Sequence, residues 1–145
     1  MIYLQTFLPY ADFGASARVL DMRRLGKQRV EVLQILNALD MRLDKGWKNH
    51  PATKMWSGHS LALIEYGEAI CTEWIRRGYR DTVLEKLDEK RWHGLFSSAF
   101  VHAPAWLGDE DLHLSHQSNL VRKDPEFYTP KFPGVPSDLP YVWPV

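Results

Sequence analysis

The chain has 145 residues, of which 45% are apolar and 25% charged, and its formal net charge is zero. That is enough chain for one domain with a real core, and the proportions are ordinary for a soluble globular protein. No apolar run approaches the ~20 residues needed to span a bilayer. The first residues lack the basic start and long apolar middle of a signal peptide, and the lone Cys71 has no internal disulfide partner.

Residues 1–15 are apolar and aromatic, with Pro9 and Gly14 as breakers, and read as an irregular or short extended segment on the core. Ser16 is the expected N-cap of a long helix to about Leu39. Val19, Met22, Val30, Leu33, Leu36 and Leu39 recur there at three- and four-residue steps with one longer gap. Gly26 inside this run costs about 1 kcal/mol against Ala and marks a kink or a close approach to the backbone. "DKGWKNHPAT" reads as a loop, followed by a short helical piece over Thr53–Trp56 that Ser57-Gly58 ends. His59 or Ser60 opens a second long helix with Leu61, Ile64, Ile70 and Trp74 in its buried stripe and Gly78 as its C′ residue. Asp81 or Thr82 caps a third helix to about Lys90. "HGLFSSAFVHAPAWLG", broken by Pro104, is expected to hold one helical turn and a buried loop. Asp109–Asp111 place acids in the first turn of a fourth helix that runs to about Arg122 and stops at Asp124-Pro125.

The tail "EFYTPKFPGVPSDLPYVWPV" carries five prolines and so is expected to be neither helix nor central strand. Phe127, Tyr128, Phe132, Tyr141 and Trp143 make it too aromatic for a disordered linker, so it should wrap over the helices or line a ligand groove. The expected architecture is mainly α: a compact single-domain helical bundle over residues 1–145, with a long irregular aromatic and proline-rich tail (125–145) packed on the helices.

The zero net charge hides a split. Residues 1–60 hold nine Lys/Arg against five Asp/Glu, and residues 61–121 hold six against ten. For phosphate binding a local basic patch matters more than the sum. Arg23, Lys27 and Glu31 stand at successive four-residue steps and share one helix face, with Arg24 and Gln28 beside them. A row of cations holds phosphates, and a carboxylate one turn from an amine is suited to acid/base work beside a nucleophile. The same row also reads as a solvated ladder worth a few tenths of a kcal/mol. "NHPATKMWSGH" gathers His50, Lys54, Trp56 and His59 in a loop-rich region, where function often sits, though single histidines are commonly caps. "HLSHQSNLVRKDPEFY" offers His113, His116, Ser118 and Asn119 along one helix. Arg122 and Lys123 close it, as phosphate contacts or as complements to the helix dipole, and Phe127 and Tyr128 could stack on bases. His113 and His116 with His93, His102 or Cys71 match no metal signature, and no metal is expected. A nucleophile elbow, a P-loop and a dinucleotide-binding glycine pattern are missing, which argues against a serine hydrolase, an NTPase and a Rossmann enzyme.

In their order, "RRLGKQRVE", "HPATKMWSGH", "EWIRRGYRDT" and "SHQSNLVRKDPEFY" resemble the pyrimidine-dimer DNA glycosylase family, the phage-type endonuclease V fold. The resemblance implies a small α-helical DNA-repair enzyme that flips a nucleotide and cleaves the N-glycosidic bond at a damaged or modified pyrimidine. In many members an imine with an amine then nicks the abasic site. It implies Glu31 as the catalytic carboxylate, with Arg23, Arg24 and Arg29 as the pool of phosphate contacts. His50, Lys54, His59, Ser118, Arg122, Lys123 and Tyr128 would make up the rest of the DNA-binding surface. The expected partner is double-stranded DNA, with no cofactor, no metal and no membrane, and the protein is expected to be a cytoplasmic monomer. The family's nucleophile is the α-amine of a small residue exposed by removal of the initiator Met. Here residue 2 is Ile, which should leave Met1 in place. The amine is then that of Met1, or Lys27 if burial among cations lowers its pKa, or water attacks and no lyase step follows. A scaffold that binds DNA without catalysis is the alternative.

Overall fold

A computed structural model describes residues 4–40, 49–93 and 103–144. Among them are seven helices: α1 (Phe13–Val19), α2 (Met22–Leu39), α3 (Pro51–Trp56), α4 (Ser60–Arg76), α5 (Val83–His93), α6 (Glu110–Lys123) and α7 (Pro125–Tyr128). No strand occurs among the described residues, and no helix there is long and apolar enough to cross a membrane. Residues 1–3, 41–48, 94–102 and 145 lie outside the described part. So does most of the stretch expected to hold a helical turn and a buried loop.

The helix expected over Ser16–Leu39 is two helices. Asp12, not Ser16, caps α1, its carboxylate accepting the Ala15 N–H at 3.1 Å. Ser16 turns inward, where its hydroxyl donates to Tyr10 O at 3.0 Å and accepts the Tyr10 N–H at 3.1 Å. Leu20 and Asp21 are extended, and Asp21 caps α2 by accepting the Arg24 N–H at 3.3 Å. Val19 and Met22 keep a three-residue spacing across the break, so apolar periodicity reads straight through it.

α2 and α4 form the centre of the core. Val32, Ile35 and Leu36 of α2 and Leu63, Ile64 and Ile70 of α4 are fully buried. Gly26 marks a close approach: a Cβ there would lie 2.9 Å from two atoms of the Trp74 ring. That ring has little room to yield. It stacks on Tyr79 at 4.3 Å, lies under the Arg29 guanidinium at 4.4 Å, and donates from Nε1 to Arg80 O at 2.9 Å. Gly26→Ala should therefore destabilise by about 1–3 kcal/mol despite alanine's better helix propensity, through overpacking. Urea unfolding would show it as a lowered midpoint at unchanged slope.

Gly78 follows α4 with φ +95°, as its place at C′ requires. Asp81 accepts the Leu84 N–H at 2.8 Å at the start of α5. Asp109 caps α6, and Glu110 and Asp111 occupy its first turn. The tail does contain a helix, contrary to expectation. Asp124 ends α6 and caps the single turn α7, with Pro125 at a first-turn position where its missing N–H costs nothing. The remaining prolines follow this turn.

Residues 4–8 run between α2 and α6 with no strand partner, and side chains satisfy their backbone. On the α2 side, Gln5 N–H donates to Glu31 Oε2 (3.0 Å), Phe7 N–H to Gln28 Oε1 (2.9 Å), and Gln28 Nε2 to Gln5 O (2.8 Å). On the α6 side, Leu8 N–H donates to His116 Nδ1 (2.9 Å), while His113 Nδ1 lies 2.8 Å from Leu8 O. Gly108 N–H donates to His113 Nε2 (2.9 Å), so the proton of His113 sits on Nδ1 and goes to Leu8 O.

Burial and the nearby His113 push His116 down from 6.5 to about 3. A base depressed in the folded state contributes stability above its unfolded pKa and loses it as pH falls. The melting temperature should therefore drop as pH is lowered from 6.5 towards 3, at up to about 1.4 kcal/mol per pH unit from this residue. His116→Gln should flatten that part of the profile in a calorimetric series.

The polar stripe of α6 holds the tail. Ser118 Oγ accepts the Leu139 N–H (3.0 Å) and Ser115 Oγ the Val142 N–H (3.2 Å). Arg122 Nη1 donates to Ser137 O (3.0 Å), and Asn119 Nδ2 lies 3.4 Å from Leu139 O.

Candidate active site

A cavity of about 520 Å³ opens between the start of α2, the N-terminal segment, the last residue of α6 and the tail. Its size falls within the roughly 300–1,000 Å³ of small-ligand sites. Arg23, Arg24, Lys27, Gln28 and Glu31 line it from α2, and Leu4, Gln5 and Phe7 from the segment before α1. His50, Lys123, Tyr141 and Trp143 complete the wall.

Glu31 is the one acid in this lining, and its side chain is only 5% exposed. Oε2 accepts from Gln5 N–H and from Gln28 Nε2, both at 3.0 Å. Oε1 faces Lys27 Nζ at 3.5 Å. Burial raises its pKa above the ordinary 4.5, against the opposing pull of the Gln5 amide, Lys27 and Gln28. One oxygen is thus fixed and the other is turned towards an ammonium. The result is an oriented, poorly solvated carboxylate on a cavity wall.

The cations differ in freedom. The Lys27 side chain is 63% exposed, so the burial that would have favoured it as an amine nucleophile is not there. Arg23 is exposed, whereas Arg24 is half-buried and bonded to Asp21 Oδ1 at 3.2 Å. Lys123 is exposed; partial desolvation lowers its pKa and the positive charges of Arg24, Arg122 and Lys27 lower it further, against the opposing pull of Glu31. His50 caps α3, its Nδ1 accepting the Ala52 N–H at 3.0 Å. Burial holds it below 6.5, so it is neutral at neutral pH with its proton on Nε2. Trp143 packs at right angles to the His50 ring (6.2 Å) and beside Tyr141 (5.3 Å).

Other expected DNA contacts lie elsewhere. Arg29 pairs with Asp81 at 2.6 Å and covers Trp74, tying α2 to the α4–α5 turn. Ser118 is fully buried under the tail, and Arg122 bonds the tail and Asn119. Tyr128 is buried; its hydroxyl accepts the Asp21 N–H at 2.9 Å and donates to the Asp21 carboxylate, which fixes the α1–α2 break. Lys54 is exposed on α3 and His59 half-buried ahead of α4, and neither lines the cavity. Met1 is outside the described residues.

His113 and His116 both engage the backbone of Leu8. Cys71 is buried, and burial together with Asp81 pushes its thiol up to about 12. His102 and the side chain of His93 are outside the described residues. No group of three His, Cys, Asp or Glu is placed to hold a metal among the described residues.

Sequence reasoning did not find Gln5 as part of this wall, nor Gln28 as the residue that orients Glu31; it named Tyr141 and Trp143 in a tail that wraps over the helices or lines a groove, and they line this one. The signal for the tail was present, because Ser115, Ser118, Asn119 and Arg122 form a polar stripe at helical spacing on α6.

No curated protein and no solved structure matches the chain. The family model of pyrimidine dimer DNA glycosylase matches residues 4–87, which is 84 of the 145 residues. The match takes in the capped break before α2 and two walls of the cavity, the N-terminal segment and the row from Arg23 to Glu31, together with His50. The chain belongs to the pyrimidine dimer DNA glycosylase family.

Proposed function

We propose that the protein is a DNA N-glycosylase that releases a damaged or modified pyrimidine, with Glu31 as the carboxylate beside the reacting sugar. Arg23, Arg24, Lys27 and Lys123 contact phosphates around the cavity. The observation that carries this reading is a single buried carboxylate, fixed through one oxygen, in a cavity whose other charged residues are all cations. As the bond from C1′ to the base breaks, the sugar takes on oxocarbenium charge. An ionised carboxylate in a poorly solvated wall stabilises that charge far better than one in water. The cations bring the phosphates, and hence the sugar, to it. The target nucleotide must leave the helix stack to enter, which costs least at a base that is already distorted.

The test is release of free base from a duplex carrying one pyrimidine dimer, or one alkylated or hypermodified pyrimidine, by wild-type and Glu31→Gln protein. The reading requires release by the wild type from at least one of these and loss of release in the variant. Duplex binding with no release from any of them would mark a non-catalytic DNA-binding module instead. Arg23→Ala should weaken duplex binding for every sequence and reduce the slope of log K against log salt by about 1. Fluorescence anisotropy over a salt series would measure this.

A further inference from the structure

The charged side chains of the cavity belong to α2 and to the last residue of α6, whereas the tail brings two aromatic rings to it, Tyr141 and Trp143. The rings pack on each other at 5.3 Å with their planes 39° apart. Each is braced by a histidine ring at nearly a right angle: His116 against Tyr141 at 5.6 Å, and His50 against Trp143 at 6.2 Å. Backbone bonds on both sides of Tyr141 fasten the tail to α6, from Leu139 N–H to Ser118 Oγ and from Val142 N–H to Ser115 Oγ. Both aromatic residues stay partly exposed. The Tyr141 hydroxyl, by contrast, is buried and has no hydrogen-bond partner among the described residues. What Tyr141 offers the cavity is therefore its ring and not a hydrogen bond. A nucleotide has two matching halves. Its phosphates suit cations, and the flat faces of its base suit aromatic rings.

We propose that Tyr141 and Trp143 form the platform on which the extruded base stacks while its sugar faces Glu31. This rests on the glycosylase reading above. Stacking draws on the flat face that every base has, so the platform sets how firmly a base is held rather than which groups its edge carries. Rings fixed before a ligand arrives lose little freedom when it binds. Holding the base on the tail side also leaves the cations of α2 and α6 to the phosphates. Neither ring lies within the family match, which ends at residue 87.

The test uses the full chain carrying Glu31→Gln, which keeps the base attached, and the damaged duplex from which the wild type releases base. The control is the same duplex with a tetrahydrofuran abasic analogue in place of the damaged nucleotide. Replacing both rings, Tyr141→Leu with Trp143→Leu, should raise the Kd for the damaged duplex about 5–100-fold, as loss of base stacking does, and leave that for the abasic duplex unchanged. Tyr141→Phe with Trp143→Phe keeps two rings and removes a hydroxyl that has no partner, so it should bind both duplexes as the Glu31→Gln parent does. Fluorescence anisotropy reads all of these constants. Equal weakening on the two duplexes overturns the proposal, because the tail would then only shape the cavity. Undiminished binding of the damaged duplex by the leucine variant overturns it too, as does a loss in the phenylalanine variant as large as in the leucine one. If the wild type releases base from none of the damaged duplexes, the glycosylase reading falls and the platform with it. Release accompanied by any of the other overturning results removes the platform alone.

Discussion

Glu31→Gln protein is expected to release base about 10²–10⁴-fold more slowly than wild type while remaining folded and able to bind duplex. The fold survives because the amide oxygen of glutamine can take the place of Oε2, accepting from Gln5 N–H and Gln28 Nε2 as the carboxylate does. What is lost is the negative charge. The pH dependence separates these effects. Burial raises the Glu31 pKa above 4.5, so the folded state binds this proton more tightly than the unfolded chain. A carboxyl group raised in this way gives its full stability below 4.5 and loses it as pH rises through the folded value. Measured against wild type, the variant should therefore gain melting temperature as pH rises through that window. The wild-type rate should run the other way, falling as pH drops through a pKa above 4.5. A variant that is more stable at neutral pH yet inactive would show that Glu31 is kept for its chemistry rather than for the fold. Equal rates for the two proteins would remove Glu31 from the mechanism.

The α2 part of the site was legible because it depends on helical arithmetic alone. Arg23, Lys27 and Glu31 recur every four residues and therefore share a face wherever the helix packs. The same arithmetic sets Arg29 apart: two residues from both Lys27 and Glu31, it lies about 200° around the helix from either. There it meets Asp81 and Trp74. What no local pattern conveys is why Glu31 is buried rather than solvated. That depends on a segment 26 residues earlier, whose amide reaches back to the carboxylate. Extended backbone held by side chains leaves no ladder pattern to read. The tail is a similar case. Its composition argued for packing, but its place on the cavity follows from bonds to Ser115 and Ser118, more than 20 residues away in sequence. Residues expected to touch DNA from α6 hold the tail instead, because a polar stripe serves a docked backbone as well as it serves phosphates. The α1–α2 break was missed for a third reason. Capping by Asp21, itself held by Tyr128 from α7, interrupts a helix without interrupting its apolar rhythm.

The largest stability loss is expected from Gln28→Leu, at about 3–5 kcal/mol. Gln28 is 1% exposed and uses both ends of its amide. Its Oε1 accepts the Phe7 N–H at 2.9 Å and lies 2.7 Å from the Tyr66 hydroxyl, which is equally close to Phe7 O. Its Nε2 donates to Gln5 O at 2.8 Å and to Glu31 Oε2 at 3.0 Å. Leucine fits the volume but answers none of these groups. Tyr66 keeps an acceptor in Phe7 O, so its hydroxyl is not stranded. The Phe7 N–H and Gln5 C=O are stranded, at about 1–3 kcal/mol each. Glu31 also loses one of the two donors that hold its charge, which should raise its pKa further and move the pH dependence of base release upward. Against a total stability of about 5–15 kcal/mol, such a loss leaves a folded but easily unfolded protein. Urea denaturation would give the stability change. Hydrogen exchange would locate it, with protection falling first at the amides of Gln5 and Phe7. A change within about 0.5 kcal/mol of wild type, the range of ordinary surface substitutions, would mean that these backbone groups find other partners and that Gln28 does not fasten the N-terminal segment to the carboxylate.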